Sequence, residues 1–321
     1  MTMIAPPDYF RMKGAGFDQH VRENGYAWWY ADALSDDGQH GITVIAFIGS
    51  VFSPYYKWAR RKGLADPLNH CALNVALYGR RHRWAMTERP KANVTRTAST
   101  LSIGPSDLSW DGSTLTIRID EVTAPIPSRI RGTVRIRPSA VTSAAFVLNA
   151  DGNHRWWPIA PTSRVEVTLS DPALRWQGDG YLDMNIGDLP LDTGFTDWQW
   201  SRAAVRDGTA INYDAECRDG SRTNLSLTFD PSGTMQSFHP PPPTILSCTK
   251  WRMRRSARSE PSPSAHVVKT LEDAPFYTRS IVSGKLFDRD VTMMHESLSL
   301  DKFRRPIVQA MLPFRMPRAR A

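Results

Sequence analysis

Apolar and polar residues alternate with a period of two in several segments of the chain, as they do in strands with one buried face. The clearest examples are LTIRI, TVRIRP, RVEVTL and NLSLTF, which begin at residues 115, 133, 164 and 224. Asp-Gly turn signals punctuate the chain at residues 37–38, 111–112, 151–152, 207–208 and 219–220. Such turns between alternating segments are typical of antiparallel hairpins. The pattern therefore predicts a mostly β protein.

Few segments have helical character. The best candidate is SPYYKWARRKGL at residues 53–64, with Pro near its start and Gly near its end. Two segments rich in Pro and Ser, residues 239–244 and 256–264, predict loops, and the basic PFRMPRARA at residues 313–321 predicts a frayed tail. Short helices and long loops therefore accompany the strands.

The length of 321 residues suits two domains. The segment SDPALRWQ, at residues 170–177, lies between the RVEVTL strand and a Gly-Asp-Gly turn, and we place the boundary near residue 170. This predicts an N-terminal β domain of residues 1–170 and a C-terminal β domain of residues 171–321.

The chain carries a formal net charge of +8. Its basic residues are spread out and accompany no nucleic-acid-binding motif, which argues against a nucleic-acid partner and leaves peripheral contact with an anionic membrane surface. The longest apolar run, residues 41–52, is shorter than the roughly 18–20 residues that cross a bilayer, and the N-terminus has no signal-peptide pattern. We therefore expect a cytoplasmic location, with any membrane contact peripheral.

The common cofactor and metal motifs do not occur in this sequence. It has no phosphate-binding glycine loop, no HExxH, no GxSxG and no dinucleotide fingerprint. Its cysteines, Cys71, Cys217 and Cys248, form no CxxC pair. We predict an activity that needs neither cofactor nor metal.

Four aromatic-rich segments contain polar residues that could carry chemistry. Residues two apart on a strand point to the same face, which pairs His154 with Trp156 and Tyr181 with Asp183. The segments are GYAWWYAD (residues 25–32), HRWWPIAP (154–161), GYLDMN (180–185) and FTDWQW (195–200).

An acid among aromatic rings has two properties that alkene hydration requires. Burial raises the pKa of a carboxyl group so that it can donate a proton, and aromatic faces stabilise a carbocation. A histidine such as His154 could then orient or deprotonate the attacking water. The pattern alone does not select one acid or base, because several others qualify: Asp18, Asp32, Glu88, Asp183 and Asp197 as acids, and His20, His40 and His70 as rival bases.

Taken in order along the chain, these motifs resemble the carotenoid 1,2-hydratase family, also called hydroxyneurosporene synthases. The similarity extends over roughly residues 10–230. It implies two consecutive lipocalin-like antiparallel β-barrel or sandwich domains with few short helices. It also implies a cofactor-free active site in which an HxW motif and a YxD motif supply the catalytic residues, here His154, Trp156, Tyr181 and Asp183.

The resemblance further implies addition of water across the terminal 1,2 double bond of acyclic carotenoids such as neurosporene and lycopene, giving the 1-hydroxy carotenoid. The implied setting is the spheroidene or spirilloxanthin pathway of photosynthetic bacteria. Asp183 would be the proton donor, Trp156 and Tyr181 would stabilise the cation, and His154 would act on water. We expect five further rings to contact the substrate: Trp28, Tyr30, Trp157, Trp198 and Trp200.

Two other functions remain open at this stage. A non-enzymatic carotenoid or lipid carrier fits a lipocalin-like fold and a basic surface, but an apolar pocket gains nothing from desolvating an acid and a base. An isoprenoid cyclase or isomerase would use the same acid. Its product would have the mass of the substrate, whereas hydration adds the mass of water.

Overall fold

The computed structural model describes residues 16–261 and 264–320, and they form two compact units. Within that range the first unit comprises the chain up to residue 147, residues 151–190 and the chain from residue 310 onwards, and the second comprises residues 148–150 and 191–309. Both units are built mainly of antiparallel strands, so the predicted fold class is confirmed.

The first unit contains one twelve-stranded antiparallel sheet. The strand order is β4–β3–β2–β1–β12–β11–β9–β8–β7–β6–β5, and β10 pairs with β11. Its strands are β1 (Tyr26–Ser35), β2 (Gly41–Ile48), β3 (Cys71–Tyr78), β4 (Arg83–Arg89), β5 (Val94–Arg96), β6 (Thr100–Ile103), β7 (Ser106–Trp110), β8 (Leu115–Val122), β9 (Arg129–Pro138), β10 (Phe146–Val147), β11 (His154–Asp171) and β12 (Ala173–Gly187).

The sheet of the first unit curls until β4 lies against β8. A buried ion pair joins the two strands, with Arg89 2.7 Å from Glu121. Most side chains on the enclosed face are apolar and belong to one core, which includes Trp29, Leu73 and Val167. The opposite face of β1, β11 and β12 carries the candidate chemical groups.

The boundary predicted near residue 170 lies at the tip of the hairpin formed by β11 and β12. Ser170 pairs with Ala173 there, and the pairing continues along both strands to His154 and Gly187. The residues of this segment therefore form the turn of a hairpin within the first unit. As a result the GYLDMN segment belongs to the same sheet as HRWWPIAP.

The helices are short. The segment predicted as helical at residues 53–64 contains α1 (Pro54–Arg60), which Ser53 caps by accepting the backbone N–H of Tyr56 at 3.0 Å. Two 3₁₀ helices, Pro67–Asn69 and Lys91–Asn93, follow it. The remaining helices are α2 (Leu191–Gly194), α3 (Leu300–Phe303) and α4 (Pro306–Arg315).

The described part of the C-terminal segment is not frayed, contrary to the prediction. Glu88 on β4 donates its N–H to Pro317 at 2.9 Å and accepts from the N–H of Ala319 at 2.8 Å. Arg318 forms an ion pair with the carboxylate of Glu88. Edge-strand hydrogen bonding and charge pairing together fix this segment on β4.

The second unit contains a seven-stranded sheet in the order β16–β15–β14–β13–β21–β20–β19 and a separate ribbon of β17 and β18. The ribbon includes residues from both segments that the Pro and Ser content assigned to loops, so that prediction is wrong in part. The strands are β13 (Phe195–Val205), β14 (Gly208–Cys217), β15 (Arg222–Phe229), β16 (Met235–Ser237), β17 (Pro243–Leu246), β18 (Arg255–Arg258), β19 (His266–Asp273), β20 (Tyr277–Leu286) and β21 (Arg289–Ser299).

Among residues 16–261 and 264–320, no helix combines the length and the hydropathy needed to cross a bilayer. The longest helix, α4, has ten residues.

Candidate active site

Three neighbouring strands of the first unit bring the predicted catalytic residues together. In the register of β1, β12 and β11, Asn185 pairs with Trp28 on one side and with Trp156 on the other. Asp183 lies directly opposite Tyr30. Because residues two apart share a face, these side chains and those of Tyr181 and His154 all point away from the apolar core.

Asp183 is held by two hydrogen bonds to the same carboxyl oxygen. Its Oδ2 accepts the indole N–H of Trp156 at 2.8 Å and the hydroxyl group of Tyr181 at 2.8 Å. Only 5% of Asp183 is exposed to solvent. Two donors on Oδ2 fix the rotation of the carboxyl group.

Tyr181 is fully buried beside this carboxyl group. Burial raises the pKa of its hydroxyl group well above the usual value. Tyr181 therefore stays a neutral phenol that donates its proton to Asp183 in a hydrogen bond. Its ring also lies edge-on to the ring of Tyr30, with centroids 6.1 Å apart.

His154 lies at the start of β11 and forms a hydrogen bond of 2.9 Å between Nδ1 and the hydroxyl group of Tyr26. Burial lowers the pKa of His154 to about 4, so the imidazole is neutral near pH 7. Gly187 separates the two side chains in the register. A Cβ there would lie 2.7 Å from Nδ1 of His154 and closer still to the ring of Tyr26, so glycine permits this contact.

Tyr26 was not among the residues selected from the sequence. It stacks on Trp28, with ring centroids 4.9 Å apart and an interplanar angle of 15°. The period-two alternation that groups Trp28 with Tyr30 on β1 also includes Tyr26, and on β12 it groups Asn185 with Asp183. Both residues could therefore have been identified from the sequence. Trp28 in turn contacts Phe47, at a centroid distance of 6.0 Å.

Asp32 extends the polar cluster along β1. It is 1% exposed and accepts a hydrogen bond of 2.7 Å from the hydroxyl group of Tyr30. In the register it lies directly opposite Tyr181. The candidate face thus contains two buried carboxyl groups, those of Asp32 and Asp183, and each accepts a hydrogen bond from a tyrosine of its own strand.

Trp157 does not share this face, although the sequence analysis grouped it with the substrate-contacting rings. It follows Trp156 directly on β11, so it points to the other side of the sheet, where it belongs to the apolar core. Its indole N–H donates to the backbone oxygen of Thr142 at 2.9 Å. The structure gives Trp157 a packing position in the first unit.

Trp198 and Trp200 lie on β13 in the second unit. Both are buried, and both point away from the side of β13 occupied by Gln199 and the core residue Ala203. Trp198 packs edge-on against Tyr213, with centroids 5.9 Å apart. Their predicted contact with the substrate stays a prediction.

Apart from Asp32, the rival acids and bases have other surroundings. Asp18 and His20 are exposed. The Glu88 carboxylate, 2.9 Å from Nδ1 of His70, is engaged with Arg318. Asp197 is in the second unit, where burial raises its pKa to about 7.

Within residues 16–261 and 264–320, no cluster of three or more His, Cys, Asp or Glu side chains has the geometry to hold a metal ion. The candidate face itself carries carboxyl, phenol, amide, imidazole and indole groups. A buried acid can deliver a proton to an apolar molecule. The aromatic rings around that acid can stabilise the cation that results.

Solved structures with the same fold share little sequence with this chain. The AttH-type protein of Nitrosomonas europaea has a TM-score of 0.60 at 13% identity, over 93% of this chain and 99% of that chain. CghA in complex with Sch210972 has a TM-score of 0.55 at 14% identity, over 86% and 88% of the two chains. Kievitone hydratase from Nectria haematococca has a TM-score of 0.52 at 10% identity, over 92% and 98%. These likenesses confirm the lipocalin-like β fold.

Relatives with closer sequences are named acyclic carotenoid 1,2-hydratase. The protein of Thiocapsa roseopersicina is 55% identical over 95% of this chain and 76% of its own length, and that of Rubrivivax gelatinosus is 50% identical over 94% and 75%. The protein of Cereibacter sphaeroides is 40% identical over 86% and 98%. The sequence profile described as carotenoid hydratase CrtC matches residues 44–321, which include the HxW and YxD motifs. The chain therefore belongs to the CrtC family of carotenoid hydratases.

Proposed function

We propose that this chain adds water across the terminal 1,2 double bond of acyclic carotenoids such as neurosporene and lycopene, with Asp183 as the proton donor. Hydration of an acyclic carotenoid follows from membership of the CrtC family. The assignment of the proton donor rests on one observation. Asp183 is a buried acid whose Oδ2 accepts hydrogen bonds from both Trp156 and Tyr181.

The reaction begins with proton transfer from the carboxyl group of Asp183 to C2 of the substrate. The trisubstituted double bond supplies the electron pair of the new C–H bond, and C1 becomes a tertiary carbocation. Water then attacks C1 and loses a proton to give the 1-hydroxy carotenoid. The aromatic faces of Trp156 and Tyr181 stabilise the cation by cation–π attraction, which is strongest where water is excluded.

His154 has a separate part in the proposal. As a neutral imidazole it can hold a water molecule by hydrogen bonding without adding a positive charge beside the carbocation. Tyr26 fixes the orientation of its ring. Trp28 and Tyr30, on the same face, would contact the carotenoid chain.

Product analysis in heavy water tests the activity and the position of protonation together. The protein is incubated in heavy water with lycopene, neurosporene or geraniol. The products are separated by chromatography, and their masses are measured by mass spectrometry. We expect a hydroxylated carotenoid with deuterium at C2. A product with the mass of the substrate would instead indicate an isomerase or cyclase, and binding without turnover would indicate a carrier.

Substitution of the proposed donor tests its role. Asp183→Asn keeps an oxygen that can accept from Trp156 and Tyr181, so we expect a folded protein. Loss of the acidic proton should lower hydration by about 10²-fold or more, the typical range for general acid catalysis. An Asp183→Asn variant that still hydrates lycopene would assign proton donation to another group.

The proposal includes a cytoplasmic location with peripheral contact at an anionic membrane surface. It is supported by the net charge of +8 and by α1, which carries Lys57 and Arg60 beside Trp58, whose exposed fraction is 41%. Flotation with phosphatidylglycerol vesicles and with phosphatidylcholine vesicles tests it. We expect binding to the anionic vesicles that weakens as salt is added; equal recovery with both would contradict the proposal.

A further inference from the structure

The sequence Tyr-x-Asp occurs twice on the candidate face, once on β1 with Tyr30 and Asp32 and once on β12 with Tyr181 and Asp183. The antiparallel register places Tyr30 directly opposite Asp183, and Asp32 directly opposite Tyr181. Each tyrosine donates to the aspartate of its own strand, at 2.7 Å on β1 and 2.8 Å on β12. These four residues, here called the Tyr–Asp quartet, therefore have approximate local twofold symmetry.

We propose that Asp32 is the general base of the reaction and takes the proton from the water that attacks C1. This inference rests on the proposed function, in which Asp183 is the acid. It assigns complementary roles to the two carboxyl groups of the quartet, and it adds a catalytic residue from β1 to those of the HxW and YxD motifs.

The two buried carboxyl groups of the quartet can hold one proton between them. Two neighbouring buried carboxyl groups do not ionise independently, because each negative charge disfavours the other. A quartet that holds one carboxyl proton contains one carboxylic acid and one carboxylate. These are the two forms that hydration requires, an acid to protonate the alkene and a base to accept the proton of water.

The positions of the two aspartates in the strand register also suit this division. Asp32 and Asp183 are diagonal neighbours across β1 and β12, and such neighbours are roughly 7–8 Å apart in antiparallel sheets. In inverting glycosidases, an acid and a base that act on opposite sides of one carbon lie about 6.5–9.5 Å apart, which leaves room for a water molecule. The diagonal positions of Asp32 and Asp183 on the two strands allow their carboxyl groups a separation of this size.

Protons balance over one turnover. Asp183 loses a proton to C2, water forms the C–O bond at C1, and the water proton passes to Asp32. The product has gained the elements of water, and the protein ends with Asp183 ionised and Asp32 protonated. Transfer of one proton from Asp32 to Asp183 restores the starting state.

His154 is a weaker candidate for the base. Burial lowers its pKa to about 4, and a group with such a low pKa accepts a proton no better than a carboxylate does. Protonated His154 would also place a buried positive charge beside the carbocation. Orientation of water suits His154 better than removal of its proton.

Deuterium uptake separates the acid step from the base step. Wild-type protein, Asp32→Asn and Asp183→Asn are incubated with lycopene in heavy water, and both the product and the recovered lycopene are analysed. Without the base, the cation formed by Asp183 returns to the alkene by losing a proton from C2. We expect Asp32→Asn to lower hydration at least 100-fold while recovered lycopene still gains deuterium, and Asp183→Asn to abolish both signals.

Two control variants address a structural role for Asp32. Tyr30→Phe removes the hydrogen bond to Asp32 but keeps the carboxylate, so hydration should fall less than tenfold. Asp32→Glu keeps a base in a shifted position, so the ratio of deuterium uptake to hydration should rise above that of the wild type. Circular dichroism and thermal unfolding check each variant, and Asp32→Glu decides the question if Asp32→Asn does not fold.

Three results would overturn the assignment of Asp32. They are hydration by Asp32→Asn within threefold of the wild type, a folded Asp32→Asn that neither hydrates lycopene nor exchanges deuterium, and an unchanged ratio in Asp32→Glu. Deuterium uptake by Asp183→Asn would instead contradict the proposed function of Asp183. The two proposals therefore fail separately.

Discussion

Trp156 donates its indole N–H to Oδ2 of Asp183 at 2.8 Å, across the pairing of β11 with β12. The indole is fully buried, and its ring packs against Phe146 at a centroid distance of 5.5 Å. The ring of Trp156 therefore holds the proposed acid in one orientation and provides an aromatic face beside it.

Trp156→Phe separates the hydrogen bond from the aromatic ring. We expect kcat for lycopene hydration to fall about 10- to 100-fold with KM nearly unchanged, because a lost hydrogen bond to this group costs roughly 1.5–3 kcal/mol. Trp157→Phe is the matched control, since Trp157 is in the core and bonds to Thr142. It should lower the thermal unfolding temperature but change kcat little. Equal effects of the two substitutions on kcat would contradict this role of Trp156.

Trp156 and Tyr181 donate to the same oxygen, so their contributions should not be additive. Loss of either donor frees the carboxyl group to rotate, and the remaining donor then holds it less well. The double variant Trp156→Phe/Tyr181→Phe should therefore lose less activity than the product of the two single losses. A double-mutant cycle on kcat measures this, and we expect a coupling of at least about 0.5 kcal/mol. Strict additivity would show that the two donors act independently.

The residues of this site were predictable from the sequence to different degrees. Alternation with a period of two is a local property of a strand, and it correctly paired Tyr181 with Asp183 and His154 with Trp156. It also implies that Trp157 lies on the opposite face from Trp156. The expectation that Trp157 contacts the substrate did not take this alternation into account. The family resemblance, rather than the pattern, selected Asp183 from five acids.

The opposition of Asp32 and Tyr181 could not be predicted from the sequence alone. It depends on the register between β1 and β12, whose paired residues are more than 140 positions apart along the chain. Register follows from pairing along the whole sheet, so a local pattern does not contain it. The hairpin at residue 170 was missed for a related reason, because a turn signal does not distinguish a domain boundary from the tip of a long hairpin.

Gly187→Ala should disturb His154 without touching Asp183. The new Cβ would overlap the space between Tyr26 and His154, where it would lie 2.7 Å from Nδ1. Since the neighbouring atoms belong to two packed rings on adjacent strands, we expect the hydrogen bond between them to break. If His154 orients the attacking water, hydration should fall while deuterium exchange into recovered lycopene continues. Gly152→Ala strains a turn, because Gly152 has a φ of 72°, but its new Cβ would meet no atom within 4 Å. It is therefore a control for lost stability without a change at His154.

Buried neutral His154 should make the stability of the protein depend on pH. Burial lowers its pKa from 6.5 to about 4, so between these values the unfolded chain binds more protons than the folded one. The contribution is fully present above pH 6.5 and is lost as the pH falls towards 4. Going from pH 7 to pH 5 should cost about 2 kcal/mol of unfolding free energy for this residue.

Thermal unfolding of wild type and His154→Gln at both pH values measures this contribution. The variant should lose less stability between pH 7 and pH 5 than the wild type does. Burial also lowers the pKa of His295 in the second unit to about 4. His295 remains in both proteins, so the stability of the variant should still depend on pH, but less than that of the wild type. Identical pH dependence in the two proteins would show that His154 does not titrate differently on folding.

Asp197→Asn is the matched control for Asp183→Asn, because Asp197 was a rival acid in the sequence. Burial raises the pKa of Asp197 to about 7, and Gln199 donates to its Oδ1 at 2.7 Å, a bond that asparagine can keep. The folded protein retains this proton from about pH 4 to about pH 7 while the unfolded chain loses it, so ionisation of Asp197 reduces stability as the pH rises through that range. Asp197→Asn should therefore unfold at an equal or higher temperature than the wild type at pH 8.

Hydration of lycopene by Asp197→Asn should stay within about twofold of the wild type, because the proposed acid is Asp183 and asparagine at position 197 keeps the hydrogen bond from Gln199. Rates for both variants are measured with the same substrate at the same pH. Many catalytic acids have a pKa raised towards 7, as Asp197 does. Asp197 is therefore a demanding control for Asp183. If Asp197→Asn lost hydration and Asp183→Asn retained it, the proton donor would belong to the second unit, and the hydrogen bonds to Asp183 would be structural.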